Sequence, residues 1–211
     1  IKAEMVAESF TELQEALAEG RCGRVEVTQS FSLSGNITLS KDMVLHDGVT
    51  LTVPNGKNLT VGRGGSIKTL GTLAVEAGGT VINEGYIHIA GALQNAGSYT
   101  NMLGMSGSAF DALGGTIHNT GTFVNNCHMD IRGTSLVHSS GNFTTYNTGG
   151  LFFSNGATIN ATAEFHNAGY MKIIDEYDGD TTTTVAIQDL SGLTNNSEWI
   201  EYAEAVFNPR S

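Results

Sequence analysis

The chain is poor in most of what would mark an enzyme or a secreted disulfide scaffold. Its 211 residues include two prolines, two cysteines and one tryptophan, and only 15% are charged. Two cysteines make no disulfide framework. Two prolines and no polar linker run argue for one continuous body. No stretch of 18 apolar residues occurs, which excludes a membrane-spanning helix, so no direct membrane insertion is expected. Bases are scarce too: ten Lys and Arg against 21 Asp and Glu give a formal charge of −11. A phosphate backbone would be repelled, and no nucleic-acid partner is expected. No charged, hydrophobic and small-residue leader is seen, and a start at Ile1 is what a processed or trimmed chain would have.

Glycine is plentiful, at 27 residues, among many Thr and Asn. That composition suits exported β-rich proteins better than cytosolic enzymes, so an extracellular or cell-surface location is expected. Residues 6–19, VAESFTELQEALAE, place Phe10, Leu13, Ala16 and Leu17 at helical spacing. Ser9 or Thr11 could start this helix, Thr11 being the weaker since it falls inside the apolar pattern, and Gly20 stands where a C-terminal cap belongs.

From Val25 the period changes. Val25-x-Val27, Phe31-x-Leu33, Ile37-x-Leu39, Met43-x-Leu45 and Val49-x-Leu51 are five hexads with two residues on one face of each. Every sixth residue from Val25 to Leu73 is apolar at eight of nine positions; the phase then slips by two. From Val75 to Tyr177 the count is fourteen of eighteen, failing at Asp111, Ser135, Gly141 and Asn147. Such a repeat predicts a solenoid whose units bury their apolar face only by stacking. Three hexads make a triangular turn of about 18 residues, and Val25 to Tyr177 supplies about eight turns, a rod ~40 Å long at ~4.8 Å per strand. The stretch TVINEGYIHIAGALQNAG, residues 80–97, reads as one turn: Val81, Ile87 and Leu93 point inward, and Gly85, Gly91 and Gly97 give the corners backbone freedom.

The third hexad position is often asparagine: Asn83, Asn95, Asn101, Asn119, Asn125, Asn155 and Asn167. Their parity points them inward, where amides can stack from coil to coil. An 18-residue turn puts Asn83, Asn101, Asn119 and Asn155 in one column. Residues 135–150 lose the pattern and are expected to bulge outward, and nothing after Asp180 keeps it. The chain therefore divides into an N-terminal helical cap (1–24), a parallel β-helix (25–180) and a C-terminal cap or link to a following module (181–211). The fold class is all-β, a single-stranded parallel β-helix with an N-terminal capping α-helix.

The run FTELQEALAEGRCGRVEVTQSFSLSGNITL, a helix leading straight into a first coil, resembles the N-terminal cap of right-handed parallel β-helices of the pectate-lyase-like class. GVTLTVPNGKNLTVGRGGSIKTLGTLAVEAGGTVINEGYIHIAGALQNAG is similar to the Gly/Asn-rich β-helix repeats of bacterial cell-surface proteins and adhesins. Together the two resemblances cover about residues 9–175 and imply a right-handed coil. The strict hexad also suits left-handed hexapeptide β-helices of acyltransferases, which lack this helical cap. The lyase motifs Arg-x-Pro-x-x-Arg and Trp-x-Asp-His are absent, so the resemblance carries over no catalytic residue. It implies a non-catalytic surface or adhesin-type module, a rigid scaffold or extended recognition face for a glycan or a host or matrix surface. The alternative is a carbohydrate-active β-helix, either polysaccharide-binding or a diverged lyase or hydrolase. The chain leaves its oligomeric state open.

Other candidates are weighed against plainer readings. Asp175, Glu176, Asp178 and Asp180 are dense enough in oxygen ligands to hold Ca²⁺ in a turn, but without the EF-hand alternation a solvated acidic turn is preferred, and no cofactor is expected. Asp42 with Asp47, or Asp111 with Asp130, show no diagnostic glycosidase spacing. His118, His128 and His138 near Cys127 do not converge at this turn length, so surface histidines are expected. Cys22 and Cys127 lie too many coils apart to pair. Thr80, Ser98, Thr116 and Thr134 would form an outward hydroxyl column, a single row where an ice-binding face would want two. Glycan grooves want aromatic platforms, and Trp199, Tyr86, Tyr99 and Tyr146 look dispersed.

Overall fold

Two kinds of corner shape this molecule. Glu84-Gly85, Ala90-Gly91 and Ala96-Gly97 are corners of two residues between four-residue strands; residues 46–49, 54–57, 62–65 and 76–79 are corners of four. The third residue of each long corner is a glycine with φ of 75° to 81°: Gly48, Gly56, Gly64 and Gly78. That left-handed conformation is one that residues with a Cβ avoid. The short-corner glycines serve a different purpose. Gly91 does not share the left-handed φ, but a Cβ there would overlap the carbonyl oxygens of Gly71 and Leu70 in the coil below. Gly85 and Gly97 are hemmed in the same way, so close stacking of corner on corner, not backbone freedom, requires them.

A strand plus a short corner repeats every six residues, and a strand plus a long corner every eight. Coils built from these corners therefore range from 18 residues, as between paired Thr80 and Ser98, to 24, as between Asp42 and Ser66; the last coil is longer, 29 residues between Met171 and Ile200, and the coils are spaced about 22 residues apart. This corrects the uniform 18-residue turn. The computed structural model describes residues 3–103, 109–173, 185–196 and 200–202. Within them the chain winds about eight turns of a parallel β-solenoid. Three strands per coil feed three sheets, one of ten strands (sheet A) and two of eight (sheets B and C), and every strand pairing is parallel.

The helix forms as its spacing predicts, over Phe10–Ala18, with Ser9 as N-cap accepting from the Glu12 amide. Phe10, Leu13 and Ala16 are buried. No basic residue occupies its last turn; instead Lys41 Nζ, from a later coil, donates to the carbonyls of Ala16 and Glu19 and satisfies the frayed end. An unexpected strand, Ala3–Ala7, precedes it and pairs with Cys22–Val27 as the first member of sheet A. The predicted bulge at 135–150 is also corrected: Ser135–His138 and Asn142–Thr145 are regular strands of sheets B and C. Past residue 180, Ala186–Asp189, Leu193–Asn195 and Ile200–Tyr202 add one further strand to each sheet.

Inside, the coils stack like on like. Tyr99, Phe123 and Phe143 form a ring pile beneath sheet C, with centroids 4.5 and 4.4 Å apart, and all three are fully buried. Each such side chain contributes about 1.5–3 kcal/mol by leaving water. The asparagines form two ladders rather than the single predicted column. Under sheet C, Asn83 Nδ2 donates to Asn101 Oδ1 (3.0 Å) and Asn101 Nδ2 to Asn125 Oδ1 (3.2 Å). Under sheet B, Asn95 Nδ2 donates to Asn119 Oδ1 (2.7 Å), and Asn119 Nδ2 meets Nδ1 of His138 (3.0 Å). Asn155 instead sits at a corner with φ 53°. His138 is wholly buried, which overturns its reading as a surface histidine.

The sheet C column continues from Asn125 through Thr145 to Asn167 and Asn195. Thr145 interrupts it: its hydroxyl oxygen and Asn167 Oδ1 are both buried without a hydrogen-bond partner. Thr145→Asn should bridge the gap, since an amide there can donate to Asn167 Oδ1. The expected gain is about 1 kcal/mol, read as a higher urea midpoint at unchanged slope. A loss of stability would show that this column has no room for a further rung.

Candidate functional site

Outward residues are sorted by sheet. On sheet B between Thr50 and Asn160, and on sheet C between Thr38 and Thr144, the outward strand positions are Thr, Ser, Asn, Gln, Ala, Val and Ile, with His118 the one ionisable side chain. Beyond those limits Glu164 and His166 face out of sheet C, 3.2 Å apart, and sheet A carries most of the remaining ionisable side chains. Two rows run along it, Arg24, Asp42, Ser66 and Tyr86 in one, and Glu26, Val44, Lys68, His88, Asp111 and Asp130 in the other.

A trough opens where short side chains lie between long ones. Arg24 bounds one end, Tyr86 and His88 the other, with Asp42, Val44 and Ser66 between them and Lys68 beside them, enclosing about 340 Å³. That falls at the small end of ligand sites. Ser66 Oγ donates to Asp42 Oδ1 (2.7 Å), and Tyr86 Oη donates to Asp111 Oδ2 (2.8 Å). Burial pushes the Tyr86 phenol up to about 12, helped by the hydrogen bond to Asp111, so it keeps its proton at physiological pH. Burial lowers the His88 pKa, against the pull of Asp111 and aided by Lys68 and Arg132. Arg24 is fixed by Glu4 (2.7 Å) and Glu26 (2.6 Å), and His46 by Glu26 (2.6 Å).

Beyond the trough, Asp111 and Asp130 stand side by side in register, with Arg132 3.9 and 3.5 Å from them. The sequence names this pair but finds no diagnostic spacing in it, because 19 residues signals adjacency only once coil length is known. Farther along, His128 and Phe152 lie 5.7 Å apart between ring centroids, and Lys172 Nζ sits 5.7 Å from the Phe152 ring centre. Tyr170 stands on the same face in register with Gly150, its side chain lying over that glycine.

The other candidates separate. His118 faces out of sheet B and His128 out of sheet A. Among the described residues no group of three or more His, Cys, Asp or Glu could hold a metal ion. Asp175, Glu176, Asp178, Asp180 and Trp199 lie outside the described residues. Asp42 and Asp47 are split between sheet A and a corner. Cys22 and Cys127 are buried and unpaired, five strand steps apart along sheet A, and burial raises the Cys127 thiol to about 12. The hydroxyl column is corrected: Thr80 pairs with Ser98, but Ser98 next meets Thr122, while Thr116 belongs to sheet B and Thr134 is buried at a corner. Tyr99 is in the core, and Tyr146 is exposed at a corner between sheets C and A.

The architecture defines a parallel β-solenoid with one chemically rich face. No family model matches the chain, and neither the curated proteins nor the solved structures compared with it give a match.

Proposed function

We propose that this chain is a non-catalytic, extracellular β-solenoid module of the bacterial surface or adhesin type, which presents sheet A as an extended recognition face for a glycan or a matrix surface. One observation carries the reading: ionisable and aromatic side chains concentrate on one sheet, while the middles of the other two carry plain β-formers. β-propensity alone would not discriminate among three equivalent faces. A face enriched in polar, charged and aromatic groups is what binding requires. The carboxylates of the central cluster are already engaged by Arg132 and Tyr86, which suits a preorganised surface. The likeness of the repeat to Gly/Asn-rich surface proteins and of the helical cap to the pectate-lyase-like class supports the same assignment.

A glycan and matrix-protein array tests it. Binding is expected, and the double variant Tyr86→Ala/His88→Ala should abolish it while the melting midpoint stays within a few degrees. Binding that survives this change and maps to sheet B or C would remove sheet A from the proposal. The alternative, a carbohydrate-active β-helix, draws support from the Asp111 and Asp130 carboxylates one coil apart on the same face. It predicts release of new reducing ends or unsaturated sugars from a polysaccharide panel, lost in Asp130→Asn.

A further inference from the structure

Resting on the reading of sheet A as a recognition face, we propose that its ligand is a neutral, hydroxyl-rich polysaccharide lying along the solenoid axis. It is held at two places: at Tyr86 and His88, and at His128, Phe152 and Tyr170.

The neutrality follows from how the cations on this face are used. Arg24 is committed to Glu4 and Glu26, and Arg132 to Asp111 and Asp130. Lys172 lies against the Phe152 ring. Lys68 is the one trough cation with no acidic partner among the described residues. A polyanion would thus find one uncommitted cation in the trough, on a chain of net charge −11 whose long-range field opposes its approach. The trough is rich in acceptors instead. Because Tyr86 donates its proton to Asp111, its oxygen offers lone pairs outward. Asp42 offers its carboxylate, and the His88 ring, whose Nδ1 meets Tyr86 Oη at 3.5 Å, offers its other nitrogen. Acceptor-rich, charge-balanced surroundings complement a ligand that is mainly a donor, and a polyol is that.

The two-point attachment follows from topology. The strand Tyr86–Ile89 and the strand Gly150–Ser154 are three steps apart in sheet A, ~14 Å at ~4.8 Å per step. A monosaccharide on Tyr86 cannot reach Phe152, whereas a tetrasaccharide along the axis can. Aromatic rings give the apolar edge of a pyranose a flat partner at each end. Gly150 carries no side chain, and the Tyr170 side chain lies over it, its Cδ1 3.8 Å from where a Cβ of Gly150 would stand, which sets the Tyr170 ring between its own strand and that of Phe152. Engaging the second group becomes intramolecular once the first is bound, so affinity should climb with chain length.

Calorimetric titration of the full chain with cello-, xylo- and manno-oligosaccharides, from disaccharide to hexasaccharide, tests this against hexagalacturonate. At least one neutral series should bind, with affinity rising about tenfold or more between disaccharide and tetrasaccharide. Tyr86→Ala should weaken every length, and Phe152→Ala only the longer ones, each variant keeping its β-sheet circular dichroism. Tighter binding of hexagalacturonate would overturn neutrality while leaving sheet A a recognition face. Neutral binding independent of length would overturn the two-point attachment. Failure of every glycan to bind the folded chain would overturn the inference, and the reading beneath it would fall as well only if the matrix-protein arm of the array also showed no binding.

Discussion

Excising residues 80–97 leaves a folded solenoid one coil shorter, whereas excising residues 80–88 destroys the fold; those are the expected results. The longer excision joins Gly79 to Ser98, and Ser98–Asn101 then occupies the place of Thr80–Asn83, with which it is already paired residue for residue. Three strands leave together, Thr80–Asn83, Tyr86–Ile89 and Ala92–Asn95, one from each sheet. Every remaining strand keeps its face. The cost is one coil of core and two ladder rungs, since Asn101 would then face Val61 and Asn119 would face Val75. In a solenoid such losses are additive between neighbours, so the midpoint falls and the urea slope shrinks by about one coil in eight. The shorter excision removes an odd number of residues. Because side chains alternate at period two, Ala90, Ala92, Ala96 and Ser98 would slide into the inward positions of Val81, Asn83, Ile87 and Ile89. A core built of alanine and serine at that level cannot hold two halves of a rod together. Circular dichroism and urea titration of both deletions check this, and equal melting would refute the coil boundaries.

Why the repeat was legible while its length was misjudged can be traced to particular residues. The inward positions Met43, Leu51, Leu59 and Ile67 are spaced by eights. Three eights equal four sixes, so a count by six regains phase at Ile67 after passing Val49 and Asn55 at corners and Val61 in a core position. The same happens from Met129 through Leu136, Phe143 and Leu151 to Ile159, where two sevens and two eights make five sixes. Of the positions that fail the count, Asp111 and Ser135 are outward and Gly141 and Asn147 lie in corners; the last three, falling close together, read as a bulge. Four-residue corners with glycine third, HDGV, PNGK, GRGG and EAGG, were the available signal. With their lengths counted, the Asn ladders fall into two columns and Asp111 falls beside Asp130. Inward and outward parity needed no coil length, which is why the core and the inward asparagines were readable. The sorting of charge onto sheet A was not, because it depends on which strands share a sheet.

Asn101→Ala is the point substitution with the largest expected effect, about 3–5 kcal/mol. Asn101 is fully buried, and its amide is used on both sides. Its Oδ1 accepts from Asn83 Nδ2 and from the Tyr99 hydroxyl, each at 3.0 Å, and its Nδ2 donates to Asn125 Oδ1 at 3.2 Å. Alanine takes away an acceptor that serves two donors and a donor that serves one acceptor, in a core that water does not reach. Each buried group deprived of a partner costs about 1–3 kcal/mol, and the cavity adds to that. Against a typical stability of about 5–15 kcal/mol the solenoid would survive weakened, and its central coils would exchange amide hydrogens first. Asn101→Asp separates hydrogen bonding from volume. The ionised carboxylate can accept from Asn83 and Tyr99 but cannot donate to Asn125, and it places a charge in the core. Its folded-state pKa must therefore lie above the unfolded value. The folded form then binds more protons than the unfolded one across that window, and stability rises as pH falls through it. The variant should be unstable at neutral pH and recover toward the parent in mild acid, where the protonated group again both donates and accepts. Denaturant midpoints measured from pH 8 down to pH 4 check the sign, and a variant that only loses stability on acidification would show that the ladder amide acts by filling space.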